Sequence, residues 1–243
     1  MYEGIQELCY EMRLHGMKSS AARRCQEALS TNMHPSELLR LLLEDERDSR
    51  QQAVSKRLET RAKFRRDCSI EEWDTTVDRG VSKQKLKELS LLNFFHKKQN
   101  LLIEGKTGVG KTHLAIALGK RICGLGASVR FFSTNLFFEE ASAEKAAGKY
   151  LKFIRNLSKT SIIILDDFAL RNFTHDEANI LLELLEERYS KTNVIVTSQV
   201  SPLGWKKLFE DPVIAEAITN RLQNPSETIK ITGPCMREKQ MVN

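Results

Sequence analysis

The stretch LLIEGKTGVGKTHLAIAL, Leu101 to Leu118, constrains the architecture more than any other part of the chain. A short apolar run, Leu101 to Ile103, passes into GKTGVGKT and then into a helical segment, THLAIALGKRI. The middle matches GxxxxGK[ST] from Gly105 to Thr112. Strand, glycine-rich turn and helix in that order make a phosphate cradle. Glycines let successive backbone N–H groups turn inward, and the helix N-terminus adds the positive end of its dipole. The candidate nucleotide-binding residues are Gly105, Lys106, Thr107, Gly108, Val109, Gly110, Lys111, Thr112 and His113. Lys111 is expected to reach the β- and γ-phosphates, and Thr112 to ligate Mg2+ through its hydroxyl.

Beyond Asn100, β-rich apolar runs recur about every thirty residues: NLLIE, SVRFFS, SIIIL, NVIVT and ETIKI, with helical stretches between them. That rhythm is βαβ and predicts an α/β fold with a five-stranded parallel sheet covered on both faces. The third run continues as SIIILDDF, Ser161 to Phe168, about sixty residues past the cradle. Its two aspartates fall at the carboxyl end of a buried strand, where such sheets present their ligands. Asp166 is expected to hold the Mg2+ shell, and Asp167 to orient the attacking water. Many ATPases keep a glutamate there; aspartate is one methylene shorter, which predicts slow hydrolysis. The fourth run ends in Thr197, Ser198 and Gln199, and Gln199 is expected to reach the γ-phosphate or the water. Arg221, in ITNRL, falls on a later helix and is a candidate arginine finger for a neighbour's γ-phosphate.

The first 66 residues read differently. Ile5, Leu8, Cys9 and Met12 recur at helical spacing, a second helix is expected over Ala21 to Ser30, and a third opens at Pro35 and carries Leu38, Leu39, Leu41, Leu42 and Leu43. That third helix runs into a basic arm in which Arg47, Arg50, Lys56, Arg57, Arg61, Lys63, Arg65 and Arg66 are opposed only by Asp48 and Glu59. The expected organisation is a helical domain with a basic arm over 1–66, a linker packing near the nucleotide site over 67–99, and the nucleotide-binding core over 100–243. A net charge of +6 favours an anionic partner. No apolar run approaches the ~20 residues of a membrane span, and MYEGIQELCYEM lacks the build of a signal peptide, so a cytoplasmic protein without membrane partners is expected. Five scattered cysteines with no CxxC pair offer neither a zinc site nor a disulfide framework.

Taken together, these motifs resemble the IstB-like family: AAA+ ATPases of the initiator clade, close to the DnaC helicase loaders. GVGKTHLAIALG resembles the family's P-loop and helix, IIILDDF its second motif, ELLEERY the helix before its strand ending IVTSQ, FEDPVIAEAITNRL its DP…RL helix, and ITGPCMREK its closing signature. The resemblance covers essentially the whole chain. Ala169 stands where the family usually has Gly, Lys106-Thr107 for Pro-Pro, Asn220 for Asp in the RL motif, and Cys235 for Ser. It implies a P-loop AAA+ core using ATP and Mg2+, with Arg221 as finger and Arg237 as a terminal arginine, a second sensor. About 44 residues follow the TSQ strand, too few for the helical lid most AAA+ proteins carry. Neighbouring subunits are then expected to complete the site.

The function implied is a transposition helper: an ATPase that assembles a helical or ring-like homo-oligomer on double-stranded DNA and serves a separate transposase in the bacterial cytoplasm, with hydrolysis for disassembly. Initiator-clade ATPases use an extra helical element after the second strand on DNA. Here that segment carries Lys145, Lys149, Lys152, Arg155 and Lys159, the first three at i, i+4, i+7, one expected basic stripe. The expected DNA contacts are Arg57, Arg61, Lys63, Arg65, Lys149, Lys152 and Arg155, made to phosphates rather than bases. A DnaC-like helicase loader is the alternative. A small-molecule kinase would need an acceptor lid with clustered arginines, and the sequence between the motifs offers none. A nucleotide-binding module without turnover is the reading that Asp167 leaves open.

Overall fold

A computed structural model of the chain describes residues 3–236, and Arg237, the expected second sensor, lies outside them. The chain divides into two compact units, Met1–Arg57 and Leu58–Asn243. No helix among the described residues is long and apolar enough to cross a membrane.

The first unit holds α1 (Glu3–Glu11), α2 (His15–Thr31) and most of α3 (Pro35–Ala62), which continues into the second unit. α2 has no side-chain cap of its own at Leu14. Glu46 of α3 supplies one, its carboxylate accepting from the N–H groups of Gly16 at 2.7 Å and Met17 at 3.2 Å. Burial alone would push that carboxyl up, but Arg50 and the two amides hold it below the usual range. Next to it, Asp45 accepts from Arg24 Nε and Nη2, both at 2.9 Å. The apolar stripe expected on the first helix is only partly covered. Cys9 is buried, whereas Ile5, Leu8 and Met12 are 44%, 60% and 67% exposed. So small a unit has little interior to offer a third helix.

In the second unit, α4 (Lys83–Ser90) and α5 (Asn93–His96) precede β1 (Asn100–Gly105), α6 (Lys111–Gly124) and β2 (Val129–Ser133). Then come α7 (Thr134–Ala146), α8 (Tyr150–Ser158), β3 (Ile162–Phe168), α9 (His175–Arg188) and β4 (Asn193–Ser198). The described chain closes with α10 (Pro202–Trp205), α11 (Pro212–Gln223) and β5 (Ser226–Ile231). All five expected strands form, parallel throughout, in the order β2-β3-β4-β1-β5. No helical lid follows β5 among the described residues.

The topology follows from the handedness of βαβ units. The step from β1 out to β2 and the later steps back across the sheet run in opposite directions, so right-handed crossovers put their helices on opposite faces. The core agrees. α6 packs with Leu101, Ile103, Ile164 and Ile195 on one face, and α7, α8, α9 and α11 pack with Leu102, Ile163, Leu165 and Val196 on the other. Alternate residues of each apolar run thus serve opposite layers, which is why the runs are unbroken rather than amphipathic.

The basic stripe expected over Lys145, Lys149 and Lys152 does not form on one helix. α7 ends at Ala146, and Gly148 takes a φ of +68°. The Gly148 N–H donates to the Lys145 carbonyl at 3.1 Å and the Lys149 N–H to that of Glu144 at 2.8 Å. This is a Schellman end, which the glycine admits without a steric penalty. Lys149 then caps a separate helix, α8, and Lys145 is paired with Asp176 at 2.6 Å.

The Asp45–Arg24 pair gives the helical unit a defined acid limit. Hydrogen bonding from Arg24, foremost, holds the Asp45 carboxyl at about 2. A carboxyl depressed in the fold stabilises it above the unfolded pKa and stops doing so as pH falls through the folded one. Amide exchange of α2 should therefore show wild type better protected than Asp45→Asn at about pH 5, with the difference vanishing between about pH 4 and pH 2.

Candidate functional site

The carboxyl edge of the sheet gathers the cradle, the two aspartates and the polar end of β4. Gly108 and Gly110 hold φ values of +80° and +107°, turning the loop into the first turn of α6. No side chain caps that helix at Gly110, so its leading N–H groups remain available to an anion. Lys111 is buried and its ammonium donates to the Lys106 carbonyl at 2.8 Å, drawn back across the loop.

Asp166 is the centre of the site and only 1% exposed. Thr112 Oγ1 donates to its two carboxylate oxygens at 2.8 and 3.0 Å, and Thr197 Oγ1 donates to Oδ1 at 2.6 Å. Burial raises the Asp166 carboxyl above the usual range, with the charge of Asp167 adding, while the hydroxyls of Thr197 and Thr112 pull the other way. A buried carboxylate beside a threonine hydroxyl, with phosphate oxygens and water to fill the remaining positions, is a donor set that Mg2+ accepts. Among the described residues no cluster of three or more His, Cys, Asp or Glu side chains offers an all-protein cage instead.

Asp167 sits in the left-handed region, φ +57°, where β3 slips register against β4 between Leu165 and Phe168. Its N–H donates to Thr197 Oγ1 at 3.0 Å, and it lines the same cavity as Lys111, Thr112 and Gln199. Gln199 Oε1 accepts from Thr107 Oγ1 at 2.9 Å, joining the tip of β4 to the crest of the loop. Ala169 holds a φ of +63°, the backbone a family glycine there would adopt without strain.

Several lining residues escaped the sequence reading. The cavity, of about 820 Å³, is walled on one side by Arg66, Cys68, Glu72, Trp73, Asp74 and Arg79, all from residues 58–79. The Arg79 guanidinium lies 3.5 Å from the Trp73 ring centre and donates to the carbonyls of Val109 at 3.3 Å and Asp74 at 2.8 Å. His113 meets Trp73 edge-on and shares a 2.8 Å hydrogen bond with the Ser69 carbonyl. From the other end of the chain, the Met236 N–H donates to the Gly108 carbonyl at 2.9 Å. His113 and Met236 belong to motifs already named, but the residues of the 58–79 wall do not; a tryptophan and an arginine six apart in a linker carry no local signal.

Arg221 is not brought to this cavity. Its backbone carbonyl accepts from Asn100 Nδ2 at 2.9 Å, at the start of β1 and so at the opposite end of a strand about 17 Å long. Its guanidinium pairs with Glu186 at 3.0 Å and donates to the Ala217 carbonyl at 3.1 Å, beside a separate hollow of about 500 Å³. Of the expected DNA contacts, Arg57 belongs to the first unit and the rest to the second. Arg57, Arg61, Lys149, Lys152 and Arg155 are exposed. Lys63 lies 3.8 Å from Glu140. Arg65 faces the Phe131 ring at 5.9 Å and acts on Asp166 electrostatically, which puts it beside the nucleotide site.

Residues 8–243 match the family described as IstB-like ATP binding protein. The chain belongs to that family. An IstB-like relative in Mycobacterium tuberculosis, named as an ATP-binding protein in an insertion sequence, is 32% identical over 230 residues, 94% of this chain and 92% of its own length. Another, named as an ATP-binding protein of insertion sequence IS21 in Pseudomonas aeruginosa, is 28% identical over 97% of this chain and 89% of its own. Solved structures share the fold. DnaI superposes with a TM-score of 0.57 at 21% identity over 70% of this chain and 90% of its own. The DnaC helicase loader does so with 0.57 at 19% over 68% and 97%.

The IstB-like cradle depends on glycine at its last turn. A Cβ on Gly110 would lie 2.9 Å from Arg79 Nη1 and 3.3 Å from the Trp73 ring. Gly110→Ala should cost about 1–2 kcal/mol in urea denaturation, and should remove the rise in melting temperature that nucleotide gives the wild type.

Proposed function

We propose that this IstB-like protein is an ATP-dependent transposition helper. It oligomerises on duplex target DNA and recruits or regulates a partner transposase, and ATP hydrolysis dissolves the assembly. The observation that carries the reading is the separation of its parts. Cradle, Asp167 and Gln199 line one cavity, with Asp166 bonded to its Thr112, whereas Arg221 is held at the far end of β1. An arginine so placed serves chemistry only at a neighbouring subunit's phosphates, which ties turnover to assembly. Relatives named for insertion sequences support the transposition setting, and their bacterial sources support a bacterial cytoplasm.

In this reading Thr112 and Asp166 hold Mg2+, which when bound offsets the charge of the β- and γ-phosphates. Lys111 exchanges the Lys106 carbonyl for phosphate oxygens, and the free N–H groups at the start of α6 cradle the rest. Asp167, backed by Thr197, orients the attacking water, and Gln199 senses the γ-phosphate from the tip of β4. Arg221 leaves Glu186 for the phosphates of the next subunit. Exposed Arg57, Arg61, Lys149, Lys152 and Arg155, with Lys63, meet backbone phosphates of double-stranded DNA, without base readout.

Steady-state ATPase assays with duplex DNA separate these roles. Lys111→Ala should lose ATP binding and ATP-dependent oligomers together. Asp167→Asn should keep binding and lose about 10²–10⁴ in turnover. Arg221→Ala should keep nucleotide and lose about 10³–10⁵; a rate equal to wild type would sink the finger assignment.

Anisotropy on labelled DNA tests the purpose of the nucleotide. Binding to duplex should be cooperative, should need ATP rather than ADP, and should weaken steeply with salt as several phosphate contacts require. Binding confined to single strands would put the helicase-loader reading first.

A further inference from the structure

Gly119 occupies the middle of α6, where glycine is disfavoured. Packing accounts for it. A Cβ there would lie 3.0 and 3.1 Å from ring carbons of Phe64 and 2.9 Å from Ile164 Cδ1. Phe64 also meets Phe131 edge-on, 6.4 Å between centroids. The chain leaves α3 through Lys63, φ +58°, and this ring anchors the turn against the core. On the other side, Asp67 is paired with Lys120, and the Ser69 carbonyl is tied to His113. Arg66 is therefore fixed at both flanks.

What lies between the anchors points at the nucleotide site. Arg66 lines the cavity with Lys111, Thr112 and Asp167, and it has no ion-pair partner among the described residues. The other cations of the wall are engaged: Arg79 with Trp73 and two carbonyls, Lys111 with the loop. Along that wall Arg66, Arg79 and Lys111 face Asp67, Glu72, Asp74 and Asp167. Asp67 is already paired with Lys120, which leaves three cations against three carboxylates, so the lining carries no surplus of positive charge. One guanidinium without an ion-pair partner then weighs heavily in whether a triphosphate is held.

We propose that Arg66 binds phosphate oxygens of the nucleotide held by its own subunit, a second cation beside Lys111. The inference rests on the nucleotide-site reading above and adds a residue outside the P-loop and strand motifs. It also joins the last turn of α3 to nucleotide occupancy, because Phe64 fixes the helix end and Arg66 the ligand.

Calorimetric titration of the full chain with ATP and with adenosine tests it, without DNA. Arg66→Ala should weaken ATP about tenfold or more and leave adenosine unchanged. Arg66→Lys should recover part of the loss, and Lys87→Ala, an exposed cation on α4, should change neither. Melting temperatures without nucleotide should be equal across the set. ATP affinity of Arg66→Ala within about twofold of wild type would overturn the proposal, as would an equal loss for adenosine. Wild type binding ATP no better than Lys111→Ala would overturn the nucleotide-site reading itself, a result distinct from either.

Discussion

The carboxylate of Asp166 is almost wholly withdrawn from water, and the arrangement of the sheet's carboxyl edge follows from satisfying it. An unpaired buried charge is costly, so its oxygens must find donors. They find Thr112 on α6 and Thr197 on β4, while the Asp166 carbonyl accepts from Thr134 at the start of α7. One residue of β3 thereby registers the helix that follows the cradle, the neighbouring strand and the helix that opens the next crossover. Its raised pKa is the electrostatic sign that two hydroxyls compensate the burial only in part. A cation would compensate it better, so the constraint that organises this edge also predisposes it to a divalent metal.

The cavity has a second wall of different origin. Residues 58–79 precede the sheet in sequence but return to cover the loop, with Arg79 over Trp73 and Phe64 set against Gly119. Here sterics do the positioning. Gly110 and Gly119 are places where a methyl group would strike a neighbour, so the linker is held by what the core lacks as much as by what it presents. That wall links the end of the basic helix to the nucleotide cavity.

Legibility differed sharply between the two halves of the site. The cradle, Asp166 and the five strands were readable because each depends on local pattern: glycine spacing, a lysine and threonine at a helix start, β-branched runs of strand length. The apolar stripe of α1 was legible as a stripe but not as largely uncovered, since periodicity reports amphipathicity and cannot say whether anything covers the face. Lys145, Lys149 and Lys152 were placed on one helix, and a single glycine at a position that admits positive φ broke the register. Trp73, Arg79 and Arg66 gave no signal as site residues, because the loop they cover lies thirty or more residues further along the chain.

By itself, the sequence determined the strands, their parallel sense and the chemical identity of the phosphate cradle, since β-rich runs alternating with helices and the side-chain chemistry of a few residues settle all three. Only the tertiary structure decided that Asp166 is shared between two threonines, that Arg66 lines the cavity and that Arg221 is turned away to Glu186. Those are contacts between residues 31 to 54 positions apart or more, fixed by which faces of the sheet the crossovers must take. No periodicity along the chain encodes such a distance.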